Sequence, residues 1–201
     1  MHRIGLISIL LIFSFFLTLL PGKAMAEKDA RQAFLDQSDF VTVKQLAEQG
    51  DVRAQTALGS MYCGGKNAPK DKDKCLSWIQ KAAEQGYIEA QLRLARLSPD
   101  NAKSLYWYQK AVDQGDAGAQ TELGSLYFGG GLGIVDIQKA LSLYHAAAGQ
   151  GYAQAQSMLG DTYFFGEKVP IDKKEGCRWW RAAAEQGRKS AIDAYNQYCA
   201  Q

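Results

Sequence analysis

Hydrophobic and polar positions along this chain repeat as a phrase. Its clearest copy sets Ala119, Leu123 and Tyr127 three or four apart, breaks at a glycine-rich run, resumes with Ala140, Tyr144 and Ala147, and closes at Gly151. Spacings of three and four predict one helix on each side of the break, each with an apolar stripe. The closing glycine recurs at Gly50, Gly86, Gly115, Gly151 and Gly187, in steps of 36, 29, 36 and 36 residues. A period in this range predicts stacked helix hairpins, so the fold class is all-α, a solenoid of antiparallel helix pairs.

The phrase divides the chain. Residues 27–50 read as an N-terminal capping helix, in which Ser38-Asp39 can start a helix ending at Gly50 and residues 30–35 can form a degenerate first helix. Four full repeats follow, 51–86, 87–115, 116–151 and 152–187, and residues 188–201 form a C-terminal capping helix. An aspartate stands 15 residues before the closing glycine in every full repeat: Asp71, Asp100, Asp136 and Asp172. That recurrence predicts N-caps of the second helices, not catalytic acids. Gly59 marks a place where the partner helix must come close. In the second repeat Ala95 replaces that glycine, Ser98 replaces the tyrosine, and seven loop residues are missing, which predicts a notch on the loop-bearing edge. Trp78, Trp107 and Trp179 share the position eight before the closing glycine and are expected in the core. Trp180, equivalent to Ile79, Tyr108 and Tyr144, is expected to be partly packed with an edge in solvent.

Upstream of the repeats lies an export signal. Residues 1–3 make a basic start, 4–20 an apolar run, Pro21-Gly22 a break, and Ala24-Met25-Ala26 a small-x-small cleavage site. An uncleaved anchor is the rival reading, but a 17-residue run is at the short edge of a membrane span. Cleavage after Ala26 predicts a periplasmic or secreted protein, and no cysteine follows the site to carry a lipid anchor. Without Arg3 and Lys23, 21 basic residues balance 21 acidic ones. Such neutrality argues against nucleic acid and against electrostatic docking on anionic lipid.

Four cysteines in an exported chain suggest disulfides. Cys63 ends the first helix of a hairpin and Cys75 lies early in its second. Cys177 and Cys199 are related in the same way across the last repeat and the helix after it. Antiparallel helices bring such ends together, so the expected pairs are Cys63–Cys75 and Cys177–Cys199. Free buried thiols are the alternative. No metal site is expected, because His145 is the only histidine after residue 26 and the cysteines form two distant pairs.

No catalytic set emerges. His145 stands alone on a flank of a second helix, and no Gly-x-Ser-x-Gly elbow exists. Gly129-Gly130-Gly131-Leu132-Gly133 follows a helix and lacks the Gly-Lys-Ser/Thr ending of a phosphate loop. It reads as a hairpin connection, and no cofactor is expected.

Taken together, Ala-Gln, Leu-Gly, Tyr, a Gly-rich loop, Asp, Ala, Trp/Tyr, Ala-Ala and Gln-Gly at these spacings resemble the Sel-1-like repeat family, a relative of tetratricopeptide repeats. The resemblance covers residues 51–187, with partial units on either side. It implies a right-handed superhelix whose concave face, lined by first helices, holds partners. First-helix positions outside the repeated core set are then the candidate partner-binding residues: Arg53, Thr56, Ser60, Arg93, Arg96, Glu122, Ser125, Gln154, Ser157 and Asp161. Loop aromatics Phe128, Phe164 and Phe165 form a second candidate patch. Envelope members of the family act as adaptors, inhibitors, immunity proteins or virulence factors. The expected function is therefore a non-enzymatic, monomeric scaffold for a protein partner. A second implication is a hydrolase acting on β-lactams or cell-wall peptides, as for some cysteine-rich members. No serine here is followed three positions later by lysine, which removes the ordinary serine route.

Overall fold

The computed structural model describes residues 29–35, 38–65, 67–166 and 168–200, and all its regular elements are helices. The expected signal and cleavage site lie outside the described residues. Two compact units divide at residue 39. In the first, residues 29–35 form α1, and Ser38 Oγ donates to the Phe34 carbonyl at 2.7 Å. The second unit begins with α2, Phe40–Glu48. The hairpins follow: α3 (Val52–Gly64) with α4 (Lys72–Glu84), α5 (Ile88–Leu97) with α6 (Asn101–Val112), α7 (Ala117–Gly129) with α8 (Ile137–Gly149), and α9 (Ala153–Phe165) with α10 (Lys173–Glu185). Helix α11, Lys189–Tyr198, packs on α10. Each helix packs chiefly on its neighbours in sequence, as a solenoid requires.

Helix ends follow the chemistry read from the sequence. Asp71, Asp100, Asp136 and Asp172 each accept a backbone N–H three residues on, at 2.9–3.0 Å. Asp51 and Asp116 cap α3 and α7 in the same way. All five closing glycines have φ between 80° and 95°, a conformation costly for any side chain.

The tight approach within a hairpin explains the core and corrects the tryptophans. A Cβ on Gly59 would lie 2.6 Å from Ile79 Cγ1, one on Gly124 2.9 Å from the Tyr144 ring, and one on Gly160 inside the Trp180 indole. The residue seven before the closing glycine thus fills the space that the first-helix glycine leaves. Trp180 is 0% exposed, the largest fully buried side chain. Its Nε1 donates to Asp161 Oδ1 at 2.8 Å. Trp78, Trp107 and Trp179 are only half-buried. They stand one residue away, rotated by about 100° around the helix. Trp107 lies at the margin of an apolar cluster shared with the following repeat, and Trp179 at the margin of one shared with the preceding repeat.

Both expected disulfides form, with Cα–Cα distances of 5.1 Å for Cys63–Cys75 and 5.8 Å for Cys177–Cys199. Cys177 occupies the register of Leu76, Leu105 and Leu141, and Cys199 that of Tyr62, Tyr127 and Tyr163. A covalent bond therefore joins α10 to α11 at positions that are a leucine and a tyrosine in other repeats.

Candidate functional site

First helices of successive hairpins approach one another, α7 with α9 and α9 with α11. Their side chains tie the rows together. Arg93 Nη1 on α5 donates to Ser60 Oγ on α3 at 3.0 Å, and its guanidinium also pairs with Glu89 at 2.9 Å. Arg96 on α5 forms a two-pronged ion pair with Glu122 on α7, its Nε donating at 2.9 Å. Tyr108 on α6 donates to the same carboxylate at 3.3 Å. Ser125 on α7 accepts from Tyr144 at 3.1 Å and lies 3.3 Å from Met158 Sδ on α9. Glu122 raises the already high pKa of Arg96. Burial, assisted by Glu122, raises the Tyr108 phenol.

This places Ser60, Arg93, Arg96, Glu122 and Ser125 in three separate links between successive first helices: Ser60–Arg93, Arg96–Glu122 and Ser125–Met158. Asp161 is committed to Trp180, and Arg53 and Gln154 are half-buried. Thr56 and Ser157 do not belong to the surface: each is only 4% exposed. Thr56 Oγ1 returns its proton to the Val52 carbonyl one turn back at 2.8 Å, which lets a polar residue sit inside.

A set of glutamines escaped the sequence reading. Gln85, Gln114, Gln150 and Gln186, each next to a closing glycine, donate to Gln55, Gln91, Gln120 and Gln156 on the first helix of the same hairpin, at 2.8–2.9 Å. Gln55, Gln91 and Gln156 then donate to the carbonyls of Ala47, Ala83 and Ala148 on the preceding second helix, at 3.1–3.3 Å. The signal was the strict recurrence of glutamine at two registers of the repeat. Replacing Gln156 with leucine should cost about 1–2 kcal/mol by orphaning the Ala148 carbonyl and the Gln186 amide. Urea denaturation would measure it, and an unchanged midpoint would refute the joint.

His145 lies on the outer side, where its Nε2 is 2.9 Å from the Tyr163 hydroxyl and its ring meets Trp179 edge-on at 5.7 Å. Burial lowers its pKa, opposed by Glu175 and reinforced by Arg178. Its contacts are those of an aromatic packing group. All four thiols are in disulfides, so none is available as a nucleophile or metal ligand. Phe128 and Phe164 pack inward, against Tyr144 and Trp180, whereas Phe165 is half-exposed.

Comparison with known proteins turns on the repeats. The family model described as Sel1 repeat matches residues 52–87, 88–116, 117–152 and 153–187. The chain belongs to the Sel1 repeat family. Its similarity to solved Sel1 structures extends over most of its length. A Sel1 repeat protein from Oxalobacter formigenes is 30% identical, with a TM-score of 0.70 over 81% of this chain and 69% of that one. A protective antigen of uropathogenic Escherichia coli with an SLR fold is 34% identical, with a TM-score of 0.68 over 77% of this chain. This chain corresponds to 35% of that antigen. The immunity protein PA5088 from Pseudomonas aeruginosa shares the fold at 24% identity, with a TM-score of 0.57 over 88% of this chain and 69% of that one. A search of curated proteins returned no match.

Proposed function

We propose that this Sel1 repeat protein is a non-catalytic scaffold of the cell envelope that holds a protein partner on the face carried by its first helices. The observation that carries this reading is the pair of links Ser60–Arg93 and Arg96–Glu122–Tyr108. These side chains are held by one another before any partner arrives, which lowers the ordering cost of binding. Arginine and tyrosine are also the residue types that most often anchor protein interfaces. Two disulfides fit an oxidising compartment. Among the described residues no helix is long and apolar enough to cross a membrane. An inhibitor role, or an immunity role like that of the immunity protein PA5088, is the sharper form of the same proposal.

The test is affinity capture from the envelope fraction with cross-linking, followed by titration of the partner identified. Replacing Arg93 and Arg96 with glutamine should weaken that complex at least tenfold, the loss of one or two interface anchors. Full affinity in the double variant would move the site off this face.

A further inference from the structure

Large apolar side chains left in solvent are unevenly placed on the stack. Ile134 is 55% exposed, Val135 58%, Phe165 50% and Ile171 63%, and all four stand where first helices end and second helices begin. Leu97 and Tyr198 are exposed on the same rim. Among the described residues, the opposite rim, where second helices turn at the closing glycines, exposes Tyr152 alone of this class.

Contacts make the first rim continuous. The side chain of Asn101, at the start of α6, lies beside Gly133 in the next loop. Lys168 reaches back to donate to the Phe128 carbonyl, with its Nζ 4.8 Å from the ring centre. Phe165 meets Tyr198 with ring centres 5.8 Å apart. Val135 and Ile171 each rest against the glycine ending the preceding helix, Gly130 and Gly166, with most of the side chain outward. Neither acts as a hydrophobic staple, since the helix positions that would receive them are Ala140 and Gly176.

Charge on this rim differs from the balance of the whole chain. Lys103, Lys139, Lys168, Lys173 and Lys174 are all exposed there. The rim aspartates Asp100, Asp136 and Asp172 each have one carboxylate oxygen engaged by a backbone amide, and the five lysines outnumber them. Exposed apolar side chains flanked by lysines match the boundary between headgroups and acyl chains.

We propose that the loop rim from Leu97 to Tyr198 is a peripheral docking edge for an anionic bilayer surface, with Ile134, Val135, Phe165 and Ile171 entering the interface and the lysines facing lipid phosphate. None of these apolar side chains belongs to the partner-binding set Ser60, Arg93, Arg96, Glu122 and Ser125, so the two proposals are tested by different substitutions.

Vesicle sedimentation tests this with the exported chain as recovered from its producing cells. Vesicles of phosphatidylglycerol and phosphatidylcholine are compared with phosphatidylcholine alone. The expected result is binding to the anionic vesicles that falls with salt, and a loss of at least about tenfold on combining I134S, V135S, F165S and I171S. Y152S on the opposite rim should leave binding unchanged. These side chains are exposed, so an unaltered helical signal and melting midpoint will show that both variants fold. Three results would overturn the proposal: no binding to either vesicle, equal binding by the fourfold variant, or loss in that variant of a protein partner only.

Discussion

Replacing Trp180 with alanine should destabilise the protein by about 3–5 kcal/mol, the range for deleting a buried aromatic. The indole is fully buried, lies 4.8 Å from the Phe164 ring centre, and fills the gap opposite Gly160. Its removal leaves a cavity between α9 and α10 and takes the donor from Asp161. Phenylalanine at the same position should recover much of the loss while still leaving that carboxylate without the indole N–H. The neighbouring Trp179→Ala, at a half-buried site, should cost only about 1–2 kcal/mol, in proportion to the apolar area it covers. Denaturant titrations of the three variants compare these directly. Equal costs at 179 and 180 would contradict the packing described here.

The second large effect concerns the bridges. Replacing Cys177 and Cys199 together with serine should cost about 3 kcal/mol, from release of a loop of 22 residues. The melting midpoint should fall by roughly 6–12 °C. Cys63–Cys75 closes a loop of 12 residues, so its loss should cost slightly less. The two losses should differ in location as well as size. Because each hairpin packs chiefly on its sequence neighbours, opening the C-terminal bridge should expose α11 to protease first, with α3 and α4 still protected. Cleavage sites mapped by mass spectrometry would show this. A midpoint that does not move after reduction of both bridges would refute the stabilising role.

Helix ends and hairpin pairing were legible because single residue types decide them. Glycine closes a helix where φ turns positive, and aspartate opens one where amides lack partners. From these ends the cysteine pairing followed. Facing was harder to read. Residues 179 and 180 are both tryptophan, so hydrophobicity could not say which points inward. What decides is Gly160 on the other helix, whose missing side chain selects the residue that enters. The pairings Gly59 with Ile79 and Gly124 with Tyr144 show the same rule.

The candidate site was legible in part for a related reason. Sorting first-helix positions by polarity placed Thr56 and Ser157 outside, although both are buried. A small hydroxyl that bonds one turn back needs no solvent, as Thr56 and Thr121 show. Arg96 and Glu122 stand ten and seven residues after their preceding closing glycines, the same two registers that bring Ser60 to Arg93 and Ser125 to Met158, and the shortened second repeat only cuts their separation from 33 residues to 26. The contact follows from the stacking of successive first helices, which polarity alone does not show. The glutamine joints were visible as a recurrence, but recurrence alone does not reveal which partner each amide takes.

Those glutamine joints all lie along the rim where the closing glycines turn, and three of them reach carbonyls of nearly inaccessible alanines. Along the other rim, the last two full hairpins meet through exposed contacts such as Lys168 with Phe128, and only α10 and α11 are clasped there covalently, by Cys177–Cys199. The stack is therefore bound like a book along one spine. Bending that fans the leaves about the glutamine line is thus open to the hairpins before α10, whereas the Cys177–Cys199 clasp holds the last leaf shut.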